Sequence, residues 1–343
     1  MHTIKAFIIT LLSITIISCG NSGTQKTNLS IATDAKNNVI TIGETVKLSV
    51  HNPKGLEISS INYSFNGETI EDSFKLDDQK LGIQTITATV KFGESSEDIT
   101  TKITILSNVS PKVYGYKIVN EYPHDITSYT QGLEFHNGEL YESTGQYGES
   151  KLRKVDYKTG EVLQNIALAN QYFAEGLTII NDHIYQLTWQ ENIGFVYDVN
   201  TFEKTSSFAY GKSKEGWGIC NDGKNIYKSD GTDQIWLLNP ETLVEDSKLQ
   251  VYTNKGKIVG LNELEYINGK IYANRYQKNG VAIINPKNGA IEGVIDFSPL
   301  IKLVKQHDGL DVLNGIAYNP DTNTIFVTGK RWDKLFEVEV FEK

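Results

Sequence analysis

The chain has 343 residues, 39% hydrophobic and 22% charged, with 29 Gly, 18 Tyr, two Cys and a formal net charge of −9. These proportions fit a globular protein of about two domains and exclude long disorder or a polytopic membrane fold. An acidic chain without a Lys/Arg cluster excludes a nucleic-acid partner, two Cys cannot build a disulfide framework, and six scattered His form no metal motif. The abundance of Tyr, Thr, Ile, Val and Gly favours strands and tight turns, so an all-β fold is expected.

Residues 1–18 read as an export signal. Lys5 supplies the positive end, and Ala6 to Ile17 is an apolar run of about 12 residues, too short to span a bilayer. Ile16-Ile17-Ser18-Cys19 resembles a lipoprotein box, with Ile16 where Leu is usual, which makes Cys19 the expected lipidation site. The polar stretch 19–27 suits a tether. No Asp follows Cys19, a pattern similar to that of proteins sorted to the outer membrane. The expectation is an exported protein that meets the membrane only through its lipid. Cys220 is then an unpaired thiol, expected to be buried beside Ile219.

Residues 28–107 carry period-two alternation, as in Thr45-Val46-Lys47-Leu48-Ser49-Val50, Ile61 to Phe65, Gln84 to Val90 and Ile99 to Ile105. Turn signals such as Asn66-Gly67 separate these runs. About 80 residues of this kind predict a small immunoglobulin-like β-sandwich. The segment Leu81 to Ala88 resembles the late strand of bacterial surface spacer domains, and no cluster of catalytic residues accompanies it.

From 111 to 343 a longer rhythm appears: a small residue, a short apolar strand, an Asn/Asp turn, then a strand centred on Tyr or Phe. It recurs at Gln131-Gly132-Leu133, Glu175-Gly176-Leu177, Gly216-Trp217-Gly218, Asn262-Glu263-Leu264 and Asn314-Gly315-Ile316. The spacing of roughly 40–50 residues is that of four-stranded propeller blades, so five repeats predict a five-bladed β-propeller. A ring with free edges would pair with other chains, and Tyr114 to Val119 is the strand available to close the fifth blade from outside.

In a propeller the first strand of each blade lines the central channel, which gathers the repeat starts at one mouth. Those starts hold Tyr129, Gln131, Phe173, Glu175, Trp217, Asn262 and Glu263, and Trp189, Asn274, Tyr276 and Lys330 follow the second strands. Aromatics, an acid, amides and a lysine converging there describe a pocket for a small polar substrate with apolar walls. Trp236 and Trp332 are assigned to packing.

At these residues Tyr129-Thr130-Gln131-Gly132-Leu133, Phe173-Ala174-Glu175-Gly176-Leu177, Glu215-Gly216-Trp217-Gly218 and Leu261-Asn262-Glu263-Leu264-Glu265-Tyr266 resemble the glutamine cyclotransferases of plants and bacteria. The likeness runs from about Tyr114 to Val340. It implies a five-bladed propeller that cyclises an N-terminal glutamine of a peptide or protein to pyroglutamate with loss of ammonia, with no metal in catalysis. It leaves room for a structural cation in the channel. The family's catalytic Glu falls on Glu175, expected to carry a proton from the attacking amine to the leaving nitrogen. Tyr129, Phe173, Trp189 and Trp217 are the expected walls, and Gln131 and Asn262 are expected to hydrogen-bond the substrate. Lys330 would hold a carbonyl or the developing oxyanion, and Tyr276 stands where plant members carry Trp. A monomer is expected. The competing readings are a propeller that only binds a surface ligand and a different enzyme on the same scaffold, such as a metal-dependent lactonase or a lyase. A hydrolase triad finds no Ser partner for His124-Asp125 or His307-Asp308.

Overall fold

The computed structural model describes residues 26–343; the expected export signal and the expected lipidation site Cys19 lie outside them. Among the described residues the fold is all-β, with two short 3-10 turns and no α-helix.

The first eight strands are β1 (Ser30–Thr33), β2 (Val39–Thr41), β3 (Thr45–His51), β4 (Ile58–Phe65), β5 (Glu68–Ile70), β6 (Ser73–Lys75), β7 (Gly82–Phe92) and β8 (Ser95–Leu106). They form a five-stranded sheet, β2-β8-β7-β4-β5, and a three-stranded sheet, β1-β3-β6. Both sheets contribute inward residues, among them Val46, Leu48, Ile86, Ala88, Val90, Ile103 and Ile105, to one core. The four expected strands fall on β3, β4, β7 and β8. Asn66 (φ 51°) and Gly67 (φ 87°) make the tight turn between β4 and β5, where both residues need positive φ.

This small domain is seated on the rest of the chain. Its core includes Tyr252 and Ala290, the Leu81 N–H donates to the Asn288 carbonyl (2.9 Å), and the Ile83 N–H donates to Gln250 Oε1 (2.7 Å).

After β9 (Lys112–Pro123), the chain repeats a four-stranded meander. The first unit is β10 (Thr130–His136), β11 (Glu139–Thr144), β12 (Lys151–Val155) and β13 (Val162–Ala167). The second is β14 (Ala174–Ile180), β15 (His183–Thr188), β16 (Ile193–Asp198) and β17 (Lys204–Ala209). The third is β18 (Ile219–Asn221), β19 (Ile226–Ser229), β20 (Gln234–Leu238) and β21 (Glu245–Gln250). The fourth is β22 (Leu261–Ile267), β23 (Lys270–Arg275), β24 (Gly280–Ile284) and β25 (Ile291–Asp296). The last group is β26 (Leu313–Asn319), β27 (Thr324–Gly329) and β28 (Lys334–Glu342), with β9 antiparallel along the outside of β28. β9 also touches β25 in parallel over Lys112 to Tyr114, which joins the last two groups into an eight-stranded sheet.

The starting strands β10, β14, β18, β22 and β26 contact one another in that order, and β26 contacts β10. Separate apolar cores fill the spaces between neighbouring groups. Leu177, Ile184 and Phe195 face Tyr141 and Leu152 in one, and Leu133 and Phe135 meet Phe326 and Leu335 where the first group meets the last. The repeat glycines follow from this closeness: a Cβ on Gly176 would lie 2.8 Å from Gly218 Cα, and one on Gly218 would collide with Asn262 and Glu263.

Candidate active site

Irregularities in pairing occur at the same place in four starting strands: Thr130/Gly132, Ala174/Leu177, Leu261/Leu264 and Leu313/Ile316. Bulges of this kind re-aim a side chain. Here they fall at Gln131, Glu175, Asn262 and Asn314, and Trp217 occupies the matching place just before β18.

One cavity of about 230 Å³ opens over them, lined by Tyr129, Gln131, Gln146, Phe173, Glu175, Trp189, Trp217, Asn262, Tyr276 and Lys330. Nine of the eleven residues expected at the channel mouth are therefore brought together, and Glu263 and Asn274 are not among the lining residues. Gln146 is an addition, held at φ 92° in the turn after β11. Only the short Gly145-Gln146 turn signal marks it in the sequence.

Glu175 is 5% exposed. Its Oε1 accepts from Gln131 Nε2 at 2.8 Å, whereas Oε2 is buried with no partner. Gln131 Oε1 accepts from Asn314 Nδ2 (3.0 Å), which also donates to the Thr130 carbonyl, so Asn314 sets which way the Gln131 amide faces. Gln131, expected to contact substrate, thus orients the carboxyl. Asn314 shares the repeat position of Gln131 and Asn262, and that position is the sequence signal for its place here.

Burial pushes the Glu175 carboxyl well above its ordinary value; Lys330 opposes this, and Glu215 and Glu191 add to it. Lys330 is 2% exposed, with its ammonium 4.6 Å from the Tyr129 ring centroid and 5.6 Å from that of Tyr276. Burial lowers its pKa, against the pull of Glu175 and Asp311. Asn262 is buried with Oδ1 unpartnered, a second acceptor lacking a donor. The walls are edge-to-face rings: Phe173 to Trp189 at 5.6 Å, Phe173 to Tyr129 at 6.2 Å and Trp217 to Tyr276 at 5.3 Å. The Tyr129 hydroxyl donates to Asp311 Oδ2 (2.8 Å), which fixes that ring.

Comparison with known proteins gives the family. Residues 86–340 match the glutamine cyclotransferase family model. The chain belongs to the glutamine cyclotransferase family. It is 41% identical over 236 residues to the glutaminyl-peptide cyclotransferase of Arabidopsis thaliana, covering 68% of this chain and 73% of that protein. It is 35% identical to the glutaminyl cyclase of Myxococcus xanthus, whose crystal structure superposes with a TM-score of 0.64 over 68% of this chain and all of that one. The family match embraces every cavity-lining residue.

Other candidates lie elsewhere. Glu263 and Glu265 accept backbone N–H groups of Ile316 (3.0 Å) and Tyr318 (2.8 Å), and Glu134 likewise takes that of Ile179 (3.0 Å). These acids stitch one starting strand to the next, where no ladder joins them. Asn274 accepts the Gly315 N–H at 3.2 Å. Trp332 is fully buried and donates to the Asp311 carbonyl (2.9 Å); Trp236 donates to Asp230 (2.7 Å). Cys220 is 1% exposed. Among the described residues no group of three His, Cys, Asp or Glu side chains is placed to hold a metal ion.

Proposed function

We propose that the protein is a glutaminyl-peptide cyclotransferase built as a five-bladed β-propeller, with an immunoglobulin-like sandwich packed against it. It converts the N-terminal glutamine of a peptide or protein to pyroglutamate and releases ammonia. Five starting strands in cyclic contact, with cores between neighbours, support the blade count. Two sheets of alternating strands around one core support the sandwich.

The observation that carries the reading is Glu175: a buried carboxyl with one oxygen held by Gln131 and the other free, at the floor of an aromatic cavity. The substrate's α-amine nitrogen attacks the side-chain amide carbon, and a C–N bond forms as the ring closes. Glu175 Oε2 takes a proton from that nitrogen and delivers it to the departing nitrogen as its bond to carbon breaks, so ammonia leaves neutral and the carboxylate is regenerated. Lys330 faces the cavity as the one lysine there and stabilises the amide oxygen as charge builds. Asn262 Oδ1 accepts from the substrate's amine. The rings hold the glutamine side chain folded against its own amine, which removes much of the entropic barrier. The reaction so drawn uses no metal, and activity should survive chelators. We further propose a monomer, exported and held at the outer membrane by a lipid on Cys19.

A Gln-initiated peptide should lose one ammonia by mass when incubated with the protein, and the same peptide acetylated at its N-terminus should not. Binding of the free peptide without ammonia release would favour a ligand-binding role instead.

A further inference from the structure

Glu215 does not line the cavity, yet two of its walls depend on it. Glu215 Oε2 accepts from Trp189 Nε1 (2.9 Å) and from Trp217 Nε1 (2.8 Å), and Oε1 accepts from Gln190 Nε2 (3.1 Å). One carboxylate oxygen therefore joins an indole of the second unit to an indole of the third across the gap between them. The backbone at this point is fixed independently. Lys228 Nζ, fully buried, donates to the Glu215 carbonyl at 2.9 Å, and the Gly216 N–H donates to the Trp189 carbonyl at 3.0 Å. Lys228 is in turn held by Glu245 (3.3 Å) and by Ser213 Oγ (2.5 Å). Indole has a single donor and no acceptor, so without the carboxylate neither ring plane has a polar restraint.

We propose that Glu215 is a positioning residue of the active site: its carboxylate clamps the Trp189 and Trp217 indoles as walls between which the substrate's glutamine folds. This role rests on the cyclotransferase reading. The same charge has a second consequence at Glu175. The groups that act on that carboxyl are Lys330 from the last unit, Glu191 from the second and Glu215 from the third, with the phenols of Tyr129, Tyr147 and Tyr210 around it. Lys330 lowers the Glu175 pKa, while Glu191 and Glu215 raise it. Removing the Glu215 charge lets Glu175 ionise at lower pH.

Two substitutions in the whole chain separate clamp from charge. Glu215→Gln keeps an acceptor oxygen and loses the charge; Glu215→Ala loses both. For Glu215→Ala, KM for a Gln-initiated peptide should rise about tenfold while kcat changes less, the signature of lost uniform binding. For Glu215→Gln the rise in KM should be smaller. In both, the acid limb of the kcat profile should move down by roughly half a pH unit to one unit. Indole N–H resonances read the clamp without reference to activity. Those of Trp189 and Trp217 should shift upfield and exchange faster in Glu215→Ala, and those of Trp236 and Trp332 should stay in place. Unmoved Trp189 and Trp217 resonances, or wild-type KM and pH profile in a folded Glu215→Ala protein, would overturn the proposal. A wild-type protein that releases no ammonia would overturn the cyclotransferase reading and the substrate role with it, even if the indole resonances moved.

Discussion

Glu142 and Glu175 lie on β11 and β14, in adjoining units, and both are nearly buried, at 2% and 5% exposure. Their carboxyls are driven in opposite directions. Burial works against the Glu142 anion too, but His124 and Arg153 flank it and the Ser128 hydroxyl donates to it at 2.5 Å, so its pKa sits at about 2. Thr130 Oγ1 adds a bond of 2.8 Å, and Arg153 also reaches Asp125 at 2.6 Å. Glu175 receives one amide bond and keeps an orphan oxygen, and burial wins. Burial alone therefore does not decide the direction. The partners withheld from Glu175 let burial dominate there, which is the condition that its proposed proton-carrying role requires.

The same Glu→Gln change should separate the two sites. Glu142→Gln leaves the buried Arg153 and His124 facing a neutral amide, and should cost about 3–5 kcal/mol of stability in a denaturant melt. A loss under about 1 kcal/mol would mean the network is looser than its distances indicate. The pH dependence follows from the depressed pKa. The Glu142 contribution is complete above its unfolded value near about 4.3 and disappears as pH falls towards about 2.

Glu175→Gln should act the other way. With its folded pKa raised, Glu175 favours folding fully only below about 4.3, and that contribution is lost as pH climbs to the folded value. At pH 8 the variant should therefore melt roughly 1–3 °C higher than wild type, with the difference vanishing in acid. A lower melting temperature at pH 8 would contradict the shift.

Asn314→Ala sharpens the contrast from within the cavity. It releases the Gln131 carbonyl, allows that amide to turn, and should lower kcat about tenfold with KM little changed. The smallest effect should come from outside both sites. Gln250→Ala frees the Ile83 N–H at the joint with the sandwich, and should cost about 1 kcal/mol while leaving kcat unaltered.

What could be read from the sequence follows from what repeats. Gln131, Glu175, Trp217 and Asn262 share a position in a five-fold rhythm, and ring closure brings such positions together. Asn314 shares it too, but its segment is not among those that resemble the family, so only its place in the repeat marks it. Gln146, Glu215 and the Glu142 network were not legible in that way. Their roles depend on distances between side chains such as His124 and Glu142 (3.1 Å), or Glu215 and Trp189, that no period encodes. In the sandwich, β3, β4, β7 and β8 are long enough to show alternation, whereas β1, β2, β5 and β6 span three or four residues each. Nor could alternation show that Tyr252 and Ala290 complete the sandwich core, since that contact crosses more than a hundred residues of chain.

One carboxyl with a free oxygen is proposed to move the proton, and the decisive test is ammonia release by Glu175→Gln beside wild type. With a Gln-initiated peptide and an intact thermal melt, the variant should turn over at least about a thousandfold more slowly. A folded Glu175→Gln protein that cyclises the peptide at the wild-type rate would contradict the account.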